Sequence, residues 1–443
     1  MDWRKRSIFA LLLLIFWVGS VEVEGELGGR RVLMIIDDLS NQENYSTILK
    51  YLQEDGFQVT VKEETEDTLV MYDGVSFMYD SIILLAPKAR SLGRGMPIEG
   101  LDDFLMQGNS ILLGMDPVYS DFMKKIALSF GVELDRKRSY VIDHGSFHKD
   151  LDKGDHTAVI SGGHSISSPL TDGAELSGIS FRGVGAALVE DNELVEKLLW
   201  GSETSFSYKP SDDVVTPPLV TGTDCVLAAA VQTRKQSRAV YAGSIEMFQN
   251  EMMDSAGGDH RRFVLSLLTW TLGSKGLLRA DKIRWHRVGE EDQKATYRVK
   301  DDLVVKVNIM EWYYKQQQWE PFASDDVQIE FTSMDPYARV RLVPQGNGSF
   351  EADVPVPDHY GVFKLEINHF RQGYTPISMY ETMSIRPFWH NEYPRFILRA
   401  YPYYLSAVLN LVGVFVFAVA YLYSKEPKAK AVKAAASKTV KAE

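Results

Sequence analysis

Val32-Leu33-Met34-Ile35-Ile36-Asp37-Asp38 decides how the rest of the chain is read. A continuous apolar run that ends in two aspartates fits a central parallel strand, buried on both faces, better than an alternating surface strand. Working outward, residues 43–54 carry Tyr45, Ile48, Leu49 and Leu52 at helical spacing and stop at Gly56. Strands are predicted over 57–61, 81–85 and 110–115, and helices over 98–106 and 120–130. This β-α-β rhythm predicts an α/β domain over 26–278, built on an open, doubly wound, mostly parallel sheet. Such sheets bind ligands outside the carboxyl ends of their strands. Asp37, Asp38, Arg94 and Asp116 fall there as possible crevice contacts, although turn and cap roles are the preferred reading of Asp37 and Asp38. Leu39-Ser40-Asn41-Gln42 follows the first strand in place of a glycine-rich fingerprint, so no phosphate cradle is expected.

The stretch 141–250 reads as short strands, at 158–160, 226–231 and 239–242, expected to extend the sheet. His144, His148, His156 and His164 fall among Asp143, Asp150, Asp152 and Asp155, but their spacing matches no tight ligand motif. A solvated polar loop without metal is expected there. Cys225 invites a nucleophile reading, since some α/β amidases place a cysteine at a strand end. Asp224-Cys225-Val226-Leu227-Ala228 has no glycine elbow and enters an apolar strand, so a buried thiol is expected. No catalytic constellation and no cofactor site emerges.

Residues 260–272 predict a helix, closed by Gly273 and Gly276, and the charged segment 279–294 marks a natural domain boundary. Beyond it the apolar period becomes two, over 303–313, 327–331, 339–343, 350–354, 362–367 and 378–385. Asn347-Gly348 supplies a hairpin turn, and the whole predicts a β-sandwich domain over 279–395. Trp312, Tyr313, Tyr314, Trp319 and Phe322 divide between core and a carbohydrate or protein contact.

Residues 404–423 contain no charge. A helix of that length spans ~30 Å, the thickness of a bilayer's hydrocarbon core, and tyrosines stand at both ends. The tail, 424–443, holds six lysines against two glutamates and is expected in the cytosol. Arg4-Lys5-Arg6 before an apolar run from Ile8 to Val18 is the layout of a signal peptide over 1–25. The chain is therefore predicted to be a type I membrane protein with its bulk lumenal or extracellular. Ser406, Asn410, Gly413, Phe417 and Ala420 recur on one helical face, which is expected to dock on neighbouring helices.

The formal charge is −12, and the part between signal and span carries about −16, which argues against nucleic acid and anionic lipid as partners. A single cysteine allows no internal disulfide, so the cores must suffice unaided. Asn44-Tyr45-Ser46 and Asn347-Gly348-Ser349 match the glycosylation pattern, and Asn347, at the predicted hairpin tip, is the favoured acceptor over Asn44.

Several stretches resemble a known family. They are Trp285-His286-Arg287-Val288-Gly289-Glu290, Tyr297-Arg298-Val299-Lys300-Asp301-Asp302-Leu303 and Asp325-Asp326-Val327-Gln328. Pro357-Asp358-His359-Tyr360-Gly361-Val362-Phe363, Arg386-Pro387-Phe388-Trp389-His390-Asn391-Glu392-Tyr393 and Ala400-Tyr401-Pro402-Tyr403-Tyr404 complete the set. Together they resemble the 48 kDa subunit family of the oligosaccharyltransferase. That resemblance implies a non-catalytic accessory subunit of the endoplasmic reticulum complex that moves an oligosaccharide from dolichyl diphosphate to Asn in Asn-X-Ser/Thr. It implies as partners a multispanning catalytic subunit, ribophorin I, ribophorin II and the small defender-against-death subunit. The yeast member of the family ends in a dilysine signal, whereas this chain reads Lys438-Thr439-Val440-Lys441-Ala442-Glu443, which implies retention through assembly. The rival readings are a lumenal cysteine amidase or hydrolase using Cys225, and a membrane-anchored sugar-binding receptor with the crevice as its pocket.

Overall fold

A computed structural model describes residues 30–425, apart from 67–68, 74–75, 94, 153, 166–169, 171–172, 174, 190–191, 210–216 and 394. The signal segment 1–25, Arg94 and the tail from 426 onward lie outside the described residues.

The first unit uses β1 (Arg31–Ile36), β2 (Gln58–Glu63), β3 (Ser81–Leu85), β4 (Ser110–Gly114), β5 (Val132–Leu134), β6 (Gly163–His164), β7 (Ala186–Leu188), β8 (Val195–Trp200), β9 (Val226–Gln232) and β10 (Arg238–Ala242). They form one sheet in the order β6-β8-β9-β10-β4-β3-β1-β2, with β7 bridging β9 and β5. Strands β2, β1, β3, β4 and β10 pair in parallel. The pairings of β6 to β8, β8 to β9, β9 to β10 and β7 are antiparallel. The sheet is thus mixed, where the sequence predicts a mostly parallel one. The cause is local: residues 233–237 join β9 to β10 as a short hairpin, and a connection that short cannot make a parallel crossover. The strand at Val159–Ile160 pairs with Ser180–Phe181 and bridges Phe147, and it does not extend this sheet, contrary to expectation.

Burial on both faces explains why the central strands β1 and β3 are apolar over nearly their whole length. Val32, Met34 and Ile36 of β1 enter one core, and Leu33 and Ile35 enter the other. Ile83 and Leu85 divide from Ile82 and Leu84 in the same way. Helices α1 (Ser46–Glu54) and α4 (Gly258–Thr271) cover the first face through Ile48, Leu52, Phe263 and Leu267. Between them in sequence, α2 (Ile98–Met106) and α3 (Asp121–Ser129) cover the second through Leu101, Phe104, Met123 and Ile126. Ser120 caps α3 by accepting the Met123 N–H at 3.1 Å. Asn250, distant in sequence, does the same for α1 by accepting the Thr47 N–H at 3.0 Å.

The second unit has β11 (Leu278–Ala280), β12 (Arg284–Arg287), β13 (Thr296–Arg298), β14 (Asp302–Tyr313), β15 (Gln318–Pro321), β16 (Gln328–Thr332), β17 (Pro336–Arg341), β18 (Val343–Gly346), β19 (Ser349–Pro355), β20 (Gly361–His369) and β21 (Ile377–Arg386). β11, β12, β14, β15, β18 and β19 form one sheet, and β13, β16, β17, β20 and β21 the other. Val305, Phe350 and Val354 from the first meet Phe331, Leu365 and Met383 from the second in a shared core. The stretch read as one strand at 339–343 is divided, because the chain changes sheets at the buried Leu342. The charged segment 279–294 also differs from a bare linker: β12 pairs with β14 and sinks Trp285 into the core. Its charges flank a strand and so hide it from a periodicity reading.

Past a short 3-10 turn at Leu398–Ala400, α5 (Tyr401–Tyr423) is long and apolar enough to cross a membrane, and it is exposed along its whole length.

Candidate functional site

β1, β3 and β4 run parallel, so the residues that follow their carboxyl ends gather on one rim of the sheet. Asp37 follows β1, Lys88 follows β3 and Asp116 follows β4. Lys88 Nζ approaches Asp37 Oδ2 at 4.0 Å, and Asp37 Oδ1 is buried with no hydrogen-bond partner. Burial raises the pKa of Asp37, with Lys88 opposing and Asp116 reinforcing the shift. Burial likewise raises Asp116 and Glu64 above the ordinary carboxylate range. Tyr45 nearby is buried and raised for the same reason. Among the described residues this rim holds buried carboxyls and a tyrosine, and no activated nucleophile. Asp38 stands apart from it. Its Oδ1 accepts the Ser40 N–H at 2.9 Å and caps the 3-10 turn Leu39–Tyr45, which is the cap role read from sequence.

The four histidines do not converge. His156 Nδ1 lies 3.7 Å from Asp152 Oδ2 and its ring meets His144 at 5.1 Å, whereas His164 Nε2 accepts the Leu176 N–H at 3.2 Å elsewhere. Asp143 is fully buried and gathers its own loop, accepting from Gly145 N–H at 2.8 Å and Thr204 Oγ1 at 2.8 Å. Among the described residues no group of histidine, cysteine and carboxylate side chains is placed to hold a metal. Cys225 sits between the 3-10 turn Gly222–Asp224 and β9, fully buried. Burial, then the nearby Asp135, pushes its thiol up to about 12. A thiolate nucleophile is disfavoured there.

Sequence reading missed the joint between the units. Arg238 opens β10 and is buried, donating to the carbonyls of Trp270 and Lys275 at 2.7 Å and of Gly276 at 3.3 Å. Its guanidinium also lies 4.9 Å from the Trp270 ring centroid. Burial lowers its pKa to about 9, so it remains charged at neutral pH. Trp270 Nε1 donates to Gly373 O at 2.8 Å, and Gly373 N–H donates to Gln232 Oε1 at 2.7 Å. Thr375 N–H donates to Gly276 O at 2.8 Å. Nothing in the local pattern around Lys235-Gln236-Ser237-Arg238 marks the arginine as buried. Beside this joint a cavity of about 300 Å³ is lined by Arg261, Arg262, Lys275, Lys315, Tyr51 and Tyr314.

The acceptor asparagines, Asn44 and Asn347, are both exposed. Asn347 lies at the tip of the β18–β19 hairpin with φ 53°, in the left-handed region that asparagine tolerates. Asn44 lies in the 3-10 turn before α1, and its sequon places Tyr45 in the core and Ser46 Oγ against Asn250 Nδ2 at 3.0 Å. On α5, Ser406 Oγ donates back to Tyr403 O at 2.8 Å. Gly413 has open space where a Cβ would stand, and Asn410, Phe417 and Ala420 are exposed on the same helix.

The chain is similar to known proteins over nearly its whole length. Residues 24–274 match the family described as OST48, N-terminal domain, and residues 285–425 match the OST48 middle domain. The dolichyl-diphosphooligosaccharide–protein glycosyltransferase 48 kDa subunit of Arabidopsis thaliana is 35% identical over 432 residues, covering 95% of this chain and 98% of the relative. The subunit of the same name from Drosophila melanogaster is 31% identical, covering 96% of this chain and 98% of the relative. That of Caenorhabditis elegans is 30% identical, with 91% and 93% covered.

Proposed function

From the premise that this chain belongs to the OST48 family, the 48 kDa subunits of the dolichyl-diphosphooligosaccharide–protein glycosyltransferase, we propose that it is an accessory subunit of that complex and serves protein N-glycosylation. The observation that carries the reading is near-complete coverage: the Arabidopsis relative aligns over 95% of the chain, from the sheet through the sandwich into α5. The catalytic centre lies in a separate multispanning subunit, and the work of this chain is assembly and stability of the complex. The buried, protonated Cys225 and the sheet rim without an activated nucleophile support that division and weigh against an amidase. Ribophorin I, ribophorin II and the small defender-against-death subunit are its neighbours by family resemblance.

The architecture we assign is a doubly wound α/β domain over 26–278, a β-sandwich domain over 279–395, a membrane helix over 404–423 and a Lys-rich cytosolic tail. Helices on both faces of the first sheet and one core between the two later sheets support it. The chain resides in the endoplasmic reticulum membrane with its bulk in the lumen, because positive charge gathers after the span. The docking face on α5 is Ser406, Asn410, Gly413, Phe417 and Ala420, and Asn347 is the favoured glycan acceptor. Pull-down of the tagged full chain in mild detergent tests the assignment. Recovery of a multispanning glycosyltransferase subunit with transferase activity is expected; recovery of the chain alone, or of activity from the purified chain alone, overturns it.

A further inference from the structure

Between the last sandwich strand and the membrane helix, several large apolar side chains stand exposed among polar ones. Trp389, Tyr393, Phe396, Ile397 and Leu398 are all exposed, and the patch runs directly into the exposed helix α5. Single exposed apolar residues are ordinary, but a contiguous cluster marks an interaction surface. The same edge of the sandwich carries more of them. Gly361 on β20 pairs with Ile385 on β21, so Tyr360 and Val362 stand beside the end of β21, and both are exposed. Met334, in the loop that follows β16 on that edge, is 96% exposed.

The segment is also braced at both ends. Arg386 closes β21 and donates to the two Glu392 carboxylate oxygens at 2.6 and 2.8 Å, while the Trp389 N–H donates to the same carboxylate at 2.9 Å. The Arg386 guanidinium covers the Trp389 ring at 4.2 Å, and Arg298 on β13 covers Phe388 at 5.1 Å. Phe388 meets Tyr393 at 5.4 Å, and Phe396 meets Tyr404 in the first turns of α5 at 6.2 Å. Hydrogen bonds from Arg386 hold the Glu392 carboxyl down at about 2, so this brace persists across physiological pH. A fork-to-fork arginine–carboxylate pair fixes geometry as well as charge.

We propose that residues 387–393 and 395–400, with Tyr360, Val362 and Met334, form a bracket that binds the lipid headgroup layer where α5 enters the bilayer. Tyr393, Trp389 and Phe396 sit at the acyl boundary, where amphipathic rings are favoured, and the exposed Arg395 and Arg399 meet lipid phosphates. At about 1.5 Å per residue α5 is ~34 Å long, longer than the ~30 Å apolar layer, so its first turn already lies at headgroup depth. The sandwich is thereby held at fixed height and tilt over the membrane. This inference rests on the reading of α5 as a membrane span.

The test uses the purified complex in phosphatidylcholine vesicles, with a small fluorescent residue placed by codon suppression at Phe396, Phe415 or Ser378. Ser378 lies at the far end of β21, some eight residues or ~26 Å from Arg386 at about 3.3 Å per residue. Quencher-bearing lipids report depth. The probe at Phe396 should lose most of its fluorescence to a shallow quencher, that at Phe415 to a deep one, and that at Ser378 to neither. Quenching at Phe415 with none at Phe396 overturns the bracket while leaving the span intact. Absence of quenching at Phe415 as well overturns the span on which the bracket rests.

Discussion

The joint around Arg238 and the helix α5 treat polar groups in opposite ways. At the joint a buried guanidinium donates to the carbonyls of Trp270, Lys275 and Gly276, and the tryptophan's own N–H reaches across to Gly373 in the second unit. On α5 the amide of Asn410 is exposed on a helix whose residues are exposed along its whole length. Where every buried donor finds an acceptor within the chain, the chain alone specifies the packing. Where the apolar and amide groups face outward, membrane and neighbouring helices must complete it.

The strongest way to break this contrast is Arg238→Met. It leaves carbonyls unpaired in a buried joint, and a loss of about 3 kcal/mol or more is expected, read as a lower Tm of the purified complex and faster proteolysis near residue 276. Arg238→Lys should fall between, since lysine keeps the charge but loses the fork. A Met variant that melts like the parent would show that the joint is held elsewhere.

On the helix the effects should appear in assembly rather than stability. Gly413→Leu should reduce incorporation into the complex most, because open space at its Cβ position lets a neighbouring helix approach closely. Asn410→Leu should cost only ~1 kcal/mol of a cross-helix hydrogen bond, and Val414→Leu on another face less still. Native gels resolve the three; equal incorporation makes the span a plain anchor.

Cys225 sharpens the first half of the comparison. With its thiol pushed up to about 12 and fully buried, native labelling by a small thiol reagent should proceed only as fast as the domain opens. Rapid labelling accompanied by loss of activity would place it near substrate. The smallest structural effect belongs to Asn347→Gln, at an exposed hairpin tip. The glycosidase mobility shift should vanish with that variant and persist with Asn44→Gln, whose sequon is drawn into the turn before α1. The reverse pattern would rank the two acceptors the other way.

Legibility followed the range of the interactions. The apolar run 32–36, the helical spacing of Ile98–Met106 and the alternation of β20 and β21 are local patterns, and each produced the expected element. The antiparallel turn of the sheet was less visible, because apolar strands such as β9 and β10 look alike in either direction. β12 was hidden by its own charges, and the divided strand at Leu342 depends on which sheet each half joins.

By itself the sequence determined the long, strongly patterned elements, the uncharged membrane-length stretch and the family, since all three are carried by residue type and spacing. Only the tertiary structure decided that Asp37 faces Lys88, that Arg238 is buried, and that Arg386 grips Glu392 to stiffen the approach to α5. Each of those depends on what the rest of the fold brings within hydrogen-bond distance. A charged side chain carries the same letter whether it is solvated or enclosed, and enclosure is a property of the packed chain.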